Sequence, residues 1–481
     1  MLQNKFIPLI TALLLFTACT KKLESINTNP NAPITASPDL LLRQVEYNFG
    51  ENNSYEGFVA GNVLGQYFTM VDFNLFDRHN LNSPQYGGKP WTYLYSNLRD
   101  NENLLIQSQT SAVSKVYEGP ALILKAYMTA MLTDLYGDVP YFNALKGKSG
   151  ITTPGYDKQE LIYTAPDGIL DNLEKGVTAI KAYNGIQTLN GDILYGGDLS
   201  KWQMFANSLR IKCLLRIADR MPVADKLQAI FAEGNYIKNS SADAVFSFTD
   251  GPPNNFRMAT LRIGDFDLFI LSQTMEEIMN KYTDPRLATF YRPTAANPTM
   301  YKGLLNGQDA SQTSITVANY SLSGKIFRET TGKLKANFIT SWETSLLLAE
   351  AAQRGLITAN DKQLYERGVQ GSFDYWQTIM PATYLTTGAA AYGSTGTDKL
   401  DQIITQKWIS NMINGYEGWI EWRRTGFPVL KHVAASLNQG IIPVRMPYPA
   451  EEAALNADSY AAASTATNGN SVNAKVWWQV K

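Results

Sequence analysis

Residues 121–141 read Ala121-Leu-Ile-Leu-Lys-Ala-Tyr-Met-Thr-Ala-Met-Leu-Thr-Asp134-Leu-Tyr-Gly137-Asp-Val-Pro140-Tyr. The part up to position 136 is apolar on nearly every side of a 3.6-residue repeat, which is typical of a helix buried between other helices. Gly137 suits the left-handed conformation that ends many helices, and Pro140 prevents the helix from continuing. We therefore predict a core of several packed helices around this segment, and interpret its end as scaffold rather than binding site.

The sequence after residue 199 repeats the helical pattern. Apolar residues recur there at the three-and-four spacing of one helix face. They are Trp202, Phe205, Ala206, Leu209, Cys213 and Ile217. Ser200 and Gln203 have the spacing of a capping box, which predicts the start of this helix. Because Cys213 lies on the apolar stripe, we expect a core thiol rather than a nucleophile.

Helical spacing also recurs in most of the remaining chain, with few and short strand signals. Further helices are predicted over 169–180, 269–278, 339–353 and 404–419, and the best strand over 244–248. Glu417, Glu421, Arg423 and Arg424 are expected to form ion pairs on a helix surface. Long irregular stretches, of the kind that often carry function, lie at 71–90, 140–160, 250–266, 292–335, 384–398 and 436–475. The predicted fold class is mainly α.

The N-terminus has the pattern of a secretory signal peptide. Lys5 precedes an apolar run from Phe6 to Phe16, and small residues follow before Cys19. The run is shorter than the roughly 20 residues that span a bilayer. Cysteine at this place resembles a bacterial lipobox, although an ordinary signal peptide with an incidental cysteine is the alternative. We predict a signal peptide over 1–18, a lipidated flexible tether over 19–36 and one folded domain over 37–481.

Composition restricts the possible functions. The 481 residues carry 42 basic and 43 acidic side chains, without the basic excess expected of a nucleic-acid-binding protein. The two histidines, His79 and His432, are too far apart in the sequence to suggest a metal-binding pair, and two cysteines cannot form a four-thiolate zinc site. No nucleophile elbow, phosphate loop or dinucleotide fingerprint occurs. We therefore predict no enzyme activity, no catalytic residue, no metal and no cofactor.

Several phrases together resemble the SusD/RagB family of outer-membrane nutrient-binding lipoproteins. They are Asn29-Pro30-Asn31-Ala32-Pro33, the Lys125–Tyr141 stretch, Leu348–Gly355 and the stretch from Gln406-Lys407-Trp408 to Gly415-Tyr416-Glu417-Gly418-Trp419-Ile420-Glu421-Trp422-Arg423-Arg424-Thr425-Gly426. Asp284-Pro285-Arg286-Leu287 and the ending Arg445-Met446-Pro447-Tyr448-Pro449 also look like that family. Their order along the chain makes the resemblance specific.

The resemblance implies a SusD-like fold, in which TPR-like helix pairs form a scaffold and long irregular loops form the ligand face. It implies binding rather than catalysis, and an outer-membrane, cell-surface location through the lipid anchor. The implied partner is a SusC-like TonB-dependent transporter, over which the protein would lie as a lid. Glycans are the commonest cargo of such proteins, but peptides and other nutrients also occur, so the fold does not determine the ligand.

Aromatic and polar residues in the irregular stretches are the candidate ligand contacts, because sugar rings stack on aromatic side chains and their hydroxyls hydrogen-bond to polar ones. The candidates are Asn74, Phe76, Arg78, Tyr86, Trp91, Arg262 and Asp265. Tyr301 and Tyr320 are further aromatic residues that could reach the same pocket. The alternative is that Phe73 and Phe76 cover the core and that Trp91 begins a buried helix.

Three functions remain open on this basis. The first is a glycan- or oligosaccharide-binding lipoprotein that delivers its ligand to a TonB-dependent transporter. The second is the same assembly carrying peptides or another nutrient. The third, from a different class, is a helical-repeat adaptor whose aromatic residues serve only contacts with other proteins.

The lipobox interpretation predicts that Cys19→Ser releases the protein from membranes, because the side chain that would carry the acyl chains is lost. Fractionation of cells that express the variant checks this, with Cys213→Ser as the control that stays membrane-bound. Retention of Cys19→Ser in the membrane fraction would contradict the lipobox.

Overall fold

The computed structural model describes residues 36–394 and 398–481. The predicted signal peptide, Cys19 and the tether before residue 36 lie outside the described residues. Within these ranges no helix is both long and apolar enough to cross a bilayer.

α-Helices account for most of the regular structure. Those of six or more residues are α1 Pro38–Glu56, α2 Pro90–Thr110, α3 Glu118–Tyr136, α4 Gln159–Thr164, α5 Ile169–Ala182, α6 Leu199–Arg216, α7 Ala224–Glu233, α8 Gln273–Tyr282, α9 Ser341–Gln353, α10 Asp361–Tyr375, α11 Lys399–Ser410, α12 Glu417–Thr425 and α13 Ala457–Ala466. A π-helical turn, Gly57–Gly61, extends α1. The helix α3 is the apolar segment at 121–136, and Gly137 follows it with a φ of 79°.

Neighbouring helices pack in successive pairs: α1 on α2, α2 on α3, α3 on α5 and α5 on α6. The pair α9 and α10 forms a second group, which α11 and α12 extend, and α6 joins the two groups by packing on α9. Leu124, Trp202, Phe205 and Trp408 are buried where these helices meet. This arrangement confirms the predicted mainly α fold with TPR-like pairs.

Two small antiparallel sheets accompany the helices. Strand β1 (Phe68–Met70) pairs with β3 (Phe269–Leu271), with Phe68 opposite Leu271. Strand β2 (Ala244–Ser247) pairs with β4 (Lys335–Ile339). The strand predicted at 244–248 is confirmed, whereas the helix predicted from residue 269 is wrong in its first part. The three residues of β3 are all buried between β1 and the core, so their apolar spacing reflects burial on both faces.

Other local predictions differ from the structure at helix ends. Asp198, rather than Ser200, caps α6, and its carboxylate accepts the backbone N–H groups of Ser200 and Lys201. The irregular stretch predicted at 436–475 contains α13, an alanine-rich helix. Cys213 is buried on α6, as its position on the apolar stripe predicts.

A buried cluster of ion pairs joins five helices, and we call it the charge network. Its members are Asp134 of α3, Lys212 and Arg216 of α6, Glu343 and Glu350 of α9, Lys407 of α11, and Glu417, Glu421 and Arg424 of α12. Each of these side chains is at most 5% exposed. The expectation of surface ion pairs on α12 is therefore wrong.

Most partners in the charge network are distant in the sequence. Arg216 contacts Asp134 at 3.0 Å and Glu417 at 2.9 Å, and also pairs with Glu421. Arg424 binds Glu350 through its two terminal guanidinium nitrogens, each of which lies 2.6 Å from one carboxylate oxygen. A charge that loses its partner in such a place stays unsolvated, so removing one member costs far more than breaking a surface pair.

Arg423 also faces inward, but it binds backbone carbonyls rather than carboxylates. Its guanidinium donates to the carbonyls of Val444 and Asp134 at 2.9 and 2.8 Å. The same group lies 3.9 Å from the ring centroid of Trp419, within the range of a cation–π contact. Arg423 thus ties α12 to the end of α3 and to the segment before residue 445.

The charge network predicts acid sensitivity. Burial alone would raise the pKa of Glu421, but Arg424, Lys407 and Arg216 outweigh it and hold that pKa well below its usual range. A carboxyl group with a lowered folded-state pKa stabilises the fold above its unfolded pKa of 4.5, and this contribution is lost as pH falls through the folded value. We expect the free energy of unfolding, measured with urea, to decrease steadily below about pH 4.5.

Glu421→Gln should lower the free energy of unfolding at pH 7 by about 3–5 kcal/mol, because Lys407 and Arg216 lose a charged partner. It should also weaken the acid dependence. The control is Glu366→Gln, whose exposed pair with Lys362 spans 3.7 Å and should contribute less than about 1 kcal/mol. Equal effects of the two substitutions would show that the charge network does not have this role.

Candidate functional site

Three irregular segments meet at the β1–β3 sheet. The backbone N–H of Val71 donates to the carbonyl of Leu268 at 3.1 Å, and Ile270 of β3 forms a bridge with Leu322. Val71, Ile270 and Leu304 form a small apolar cluster of their own. Leu268, Ile315, Tyr320 and Leu322 pack against this cluster. We call the surface formed by residues 71–90, 261–268 and 304–322 the loop face.

Tyr86, Arg262 and Asp265, which were predicted from two separate stretches, come together on the loop face. The Tyr86 hydroxyl donates to Asp265 Oδ1 at 3.2 Å, and the Arg262 guanidinium donates to both Asp265 oxygens at 2.8 and 3.1 Å. Arg262 is 77% exposed, whereas Asp265 is half-buried. The Tyr86 ring packs edge-on against Phe269 of β3, which fixes its position. These three side chains therefore present a preformed set of polar groups to solvent.

The electrostatics of this triad follow from its contacts. Hydrogen bonds from Arg262 hold the pKa of Asp265 below its usual range. Burial, and to a smaller extent the charge of Asp265, raises the pKa of Tyr86 to about 12. At neutral pH Asp265 is therefore an ionised acceptor and Tyr86 a neutral hydroxyl. Such groups suit the binding of hydroxyls better than proton transfer, which needs a pKa near the working pH.

Phe73 lies at the tip of the first loop and is 52% exposed. Its φ is 49°, in the left-handed region that bulky residues rarely adopt, and the Asp72 carboxylate accepts its backbone N–H at 2.7 Å. The alternative in which Phe73 covers the core therefore does not hold for this residue. Strained residues of this kind often occur where a protein contacts a ligand.

Asn74 and Arg78 fasten loops together. The Asn74 amide donates to the carbonyls of Met70 and Gln308 at 3.2 and 2.6 Å. Arg78 donates to the carbonyl of Ala435 at 2.9 Å and pairs with Asp309 at 3.2 Å. Asn74 is buried and the Arg78 side chain is mostly covered. The structure thus brings both residues to the loop face but uses their polar groups within the chain.

Phe76 and Trp91 belong to the interior. Phe76 is buried beneath Gly88, where a β-carbon would lie only 2.7 Å from its ring. Trp91 is 9% exposed at the start of α2, and its ring packs against Tyr136 and Tyr448. Their positions favour the alternative reading, in which Phe76 covers the core and Trp91 begins a buried helix.

Asp77 holds the loop face onto the sheet. Its buried carboxylate accepts hydrogen bonds from Thr69 Oγ1 at 2.6 Å, the Met70 backbone N–H at 3.2 Å, Asn306 Nδ2 at 2.7 Å and the Gly307 backbone N–H at 2.8 Å. Burial raises the pKa of Asp77, although all four hydrogen bonds oppose this. The residue was not among the sequence candidates, because a lone aspartate in a loop gives no signal of its partners.

Within residues 36–394 and 398–481, no group of three or more histidine, cysteine or acidic side chains is placed to hold a metal ion. His79 is buried, and burial lowers its pKa to about 4, so it is neutral at pH 7. The loop face exposes an aromatic ring, an aspartate, an arginine and hydroxyls.

The comparisons with known proteins agree with this architecture. A family profile described as SusD-like, starch-binding and associating with the outer membrane, matches residues 30–449. A solved chitin-binding protein aligns with a TM-score of 0.79 at 23% identity, covering 92% of this chain and all of that one. A SusD homologue from Bacteroides fragilis gives 0.79 at 23%, covering 93% and 100%. A chitin-binding SusD homologue from Flavobacterium johnsoniae gives 0.75 at 23%, covering 91% and 99%.

No curated protein sequence matches the chain. The helix pairs and the loop face define the class, a helical-scaffold protein of a type associated with nutrient binding at the outer membrane. The profile match over 30–449 identifies the family: the chain belongs to the SusD-like family, whose members are binding proteins.

Asp77→Asn should loosen the loop face, because an amide cannot accept all four hydrogen bonds. The free energy of unfolding should fall by about 1–3 kcal/mol, and hydrogen exchange at the Met70 and Gly307 amides should accelerate. The control is Asp309→Asn, which weakens a partly exposed pair with Arg78 on the same face and should leave exchange at these two amides unchanged. Unchanged exchange in Asp77→Asn would contradict this role.

Proposed function

We propose that the protein binds a glycan or oligosaccharide at the loop face and delivers it to a SusC-like TonB-dependent transporter. The observation that carries the proposal is the exposed ring of Phe73 on the same face as the Tyr86–Asp265–Arg262 triad. Sugar rings have flat C–H faces that stack on aromatic rings, and their hydroxyls both donate and accept hydrogen bonds. The loop face offers partners for each of these contacts.

Backbone geometry supports placing these groups in one site. Phe73 is two residues from Val71, whose N–H bonds to Leu268, and Leu268 in turn donates to the Asp265 carbonyl. These bonds place the start of the segment that carries Phe73 beside the segment that carries Asp265. Tyr320, packed against the cluster around Val71, lies on the third segment of the same face. A ligand that spans several sugar rings could contact all three segments.

Binding fits these groups better than hydrolysis does. A glycosidase needs two carboxyl groups with different pKa values flanking the bond to be cut. Asp265 is paired with Arg262 and its pKa is lowered, which is unsuited to a general acid. We therefore propose that the protein is not an enzyme.

The transporter partner and the lipid anchor belong to the proposal as well. Membership of an outer-membrane family supports both, and the lipobox pattern at Cys19 supports the anchor. Peptide cargo in the same type of complex remains the second candidate, because Asp265 and Arg262 could also hold peptide groups. The helical-repeat adaptor remains the third.

Affinity gel electrophoresis against a panel of polysaccharides, including chitin oligomers and starch, tests the proposal. We expect one glycan to retard the protein, and Phe73→Ala with Tyr86→Ala to abolish the retardation because the stacking surface and one hydroxyl are lost. Loss of a stacking contact and a hydrogen bond corresponds to about 2 kcal/mol, or roughly thirtyfold in affinity.

The matched control is Tyr460→Ala, which removes a half-buried tyrosine on α13 and should leave the retardation unchanged. If no glycan retards the protein while an outer-membrane barrel and bound peptide co-purify with it, the peptide candidate is favoured. If neither a barrel nor any ligand is found, the adaptor is favoured and the transport proposal fails.

A further inference from the structure

An asparagine followed by glycine occurs at five places in the sequence: Asn184-Gly185, Asn190-Gly191, Asn306-Gly307, Asn414-Gly415 and Asn468-Gly469. In such a pair the backbone nitrogen of the glycine can attack the side-chain amide of the asparagine, because no β-carbon shields that nitrogen. The attack requires a free glycine N–H and an asparagine side chain that can rotate toward it. The fold decides which of the five pairs meets both conditions.

Two of the pairs are buried and fully engaged. Asn306 is 2% exposed, its amide donates to Asp77 Oδ1 at 2.7 Å, and the Gly307 backbone N–H donates to the other oxygen of that carboxylate at 2.8 Å. Asn414 is also 2% exposed, and its amide donates to Asn411 Oδ1 at 2.9 Å. Neither asparagine can turn toward the following nitrogen without losing these contacts.

Two further asparagines, Asn190 and Asn468, are exposed, but the glycine after each is held in place. The glycine after Asn468 donates its N–H to the Ser464 carbonyl at 2.8 Å, so its nitrogen is engaged. The glycine after Asn190 packs against α1, where an added β-carbon would lie only 2.1 Å from the Asp39 carbonyl oxygen. This close packing restricts the rotation that the reaction needs.

The pair Asn184-Gly185 differs from the other four. Both residues are exposed in the loop after α5, and neither the Asn184 amide nor the Gly185 N–H has a hydrogen-bond partner in the described part of the chain. The Tyr183 hydroxyl closes the loop, since it donates to the Gln187 carbonyl and accepts the Gln187 N–H, both at 3.0 Å. The residues between these two project into solvent, and Ile186 is 93% exposed.

We propose that Asn184 is a site of spontaneous deamidation. The Gly185 backbone nitrogen loses its proton to solvent and forms a bond to Asn184 Cγ. The Cγ–Nδ2 bond breaks, and Nδ2 takes up a proton and leaves as ammonia. Water then opens the resulting five-membered imide at one of its two carbonyls, which gives aspartate or isoaspartate. Water is the only co-reactant, and no atom is oxidised or reduced.

The modification changes the charge of a groove. Asn184 and Gly185 are among the residues that line a groove of about 1900 Å³ between α2, α3 and α5. Six basic and five acidic side chains also line it, so the new carboxylate brings its formal charge from +1 to zero. The proposal does not depend on glycan binding at the loop face.

Mass spectrometry of the full chain after incubation at pH 7 tests the proposal. The tryptic peptide 182–201 contains both Asn184 and Asn190, so fragmentation of this one peptide compares the two directly. We expect Asn184 to convert at least about tenfold faster than each of the other four asparagines, a barrier difference of about 1.4 kcal/mol. The rate should rise at pH 9, because the attacking nitrogen is deprotonated. In urea the advantage of Asn184 should disappear, because all five pairs are then free.

The variant Gly185→Ala should slow the conversion of Asn184 at least about tenfold, because the added methyl group shields the attacking nitrogen. The φ of Gly185 is not positive, and the contacts of the added β-carbon are with the Tyr183 side chain, so the fold should accept alanine. The matched control is Gly155→Ala, an exposed glycine with open space around it, which should leave the rate unchanged. Asn184→Gln should abolish the modification in this loop, because the longer side chain would have to form a six-membered ring.

Three results would overturn the proposal. The first is conversion of Asn184 in the folded protein no faster than that of Asn190 or Asn468. The second is a rate that Gly185→Ala leaves unchanged. The third is an advantage of Asn184 that persists in urea, which would mean that the fold does not select this pair.

Discussion

The pairing of buried charge is the constraint on which the helical scaffold depends. Nine charged side chains from five helices meet in one interior region, and each needs an opposite charge at close range. Apolar contacts tolerate small shifts of one helix along another, but a bidentate pair such as Arg424 with Glu350 does not. We infer that the charge network fixes the relative positions of α3, α6, α9, α11 and α12, since a shift would leave a buried charge unpaired.

Tyr67 is one of the links between the scaffold and the loop face. Tyr67 precedes β1, stacks on Trp408 of α11 with ring centroids 4.2 Å apart, and donates its hydroxyl to the Trp408 carbonyl. Its own carbonyl accepts the backbone N–H of Ser272 and the hydroxyl of Tyr291. Trp408 follows Lys407 of the charge network directly. The β1–β3 sheet that supports the loops is therefore attached to the most constrained part of the helices.

Helices were predictable from the sequence where apolar spacing repeats over several turns, as in α3, α6 and α9. The charge network was not, because Glu417 and Glu421 with two following arginines have the pattern of an exposed helix. Charged residues are buried only when paired, and the partners of Glu417 lie about 200 residues earlier, on α6. The residues around Glu417 in the sequence give no sign of a partner that far away. The sequence predicted a helix at β3 for a related reason. Three buried apolar residues fit the spacing of a helix as well as that of a strand.

The candidate site was predictable in part. Composition pointed to loops that the structure brings side by side, and Tyr86 with Arg262 and Asp265 prove to be neighbours. Which aromatic residue faces outward depends on backbone dihedral angles that composition does not reveal. The positive φ of Phe73 turns an apolar side chain toward solvent, while Phe76, three residues later, turns inward beneath Gly88. Loops 71–90 and 304–322 are held by Asp77, Asn74, Arg78 and backbone bonds rather than by the side chains of the charge network. The helix packing, which the buried charge fixes, thus does not depend on exposed loop side chains such as Phe73.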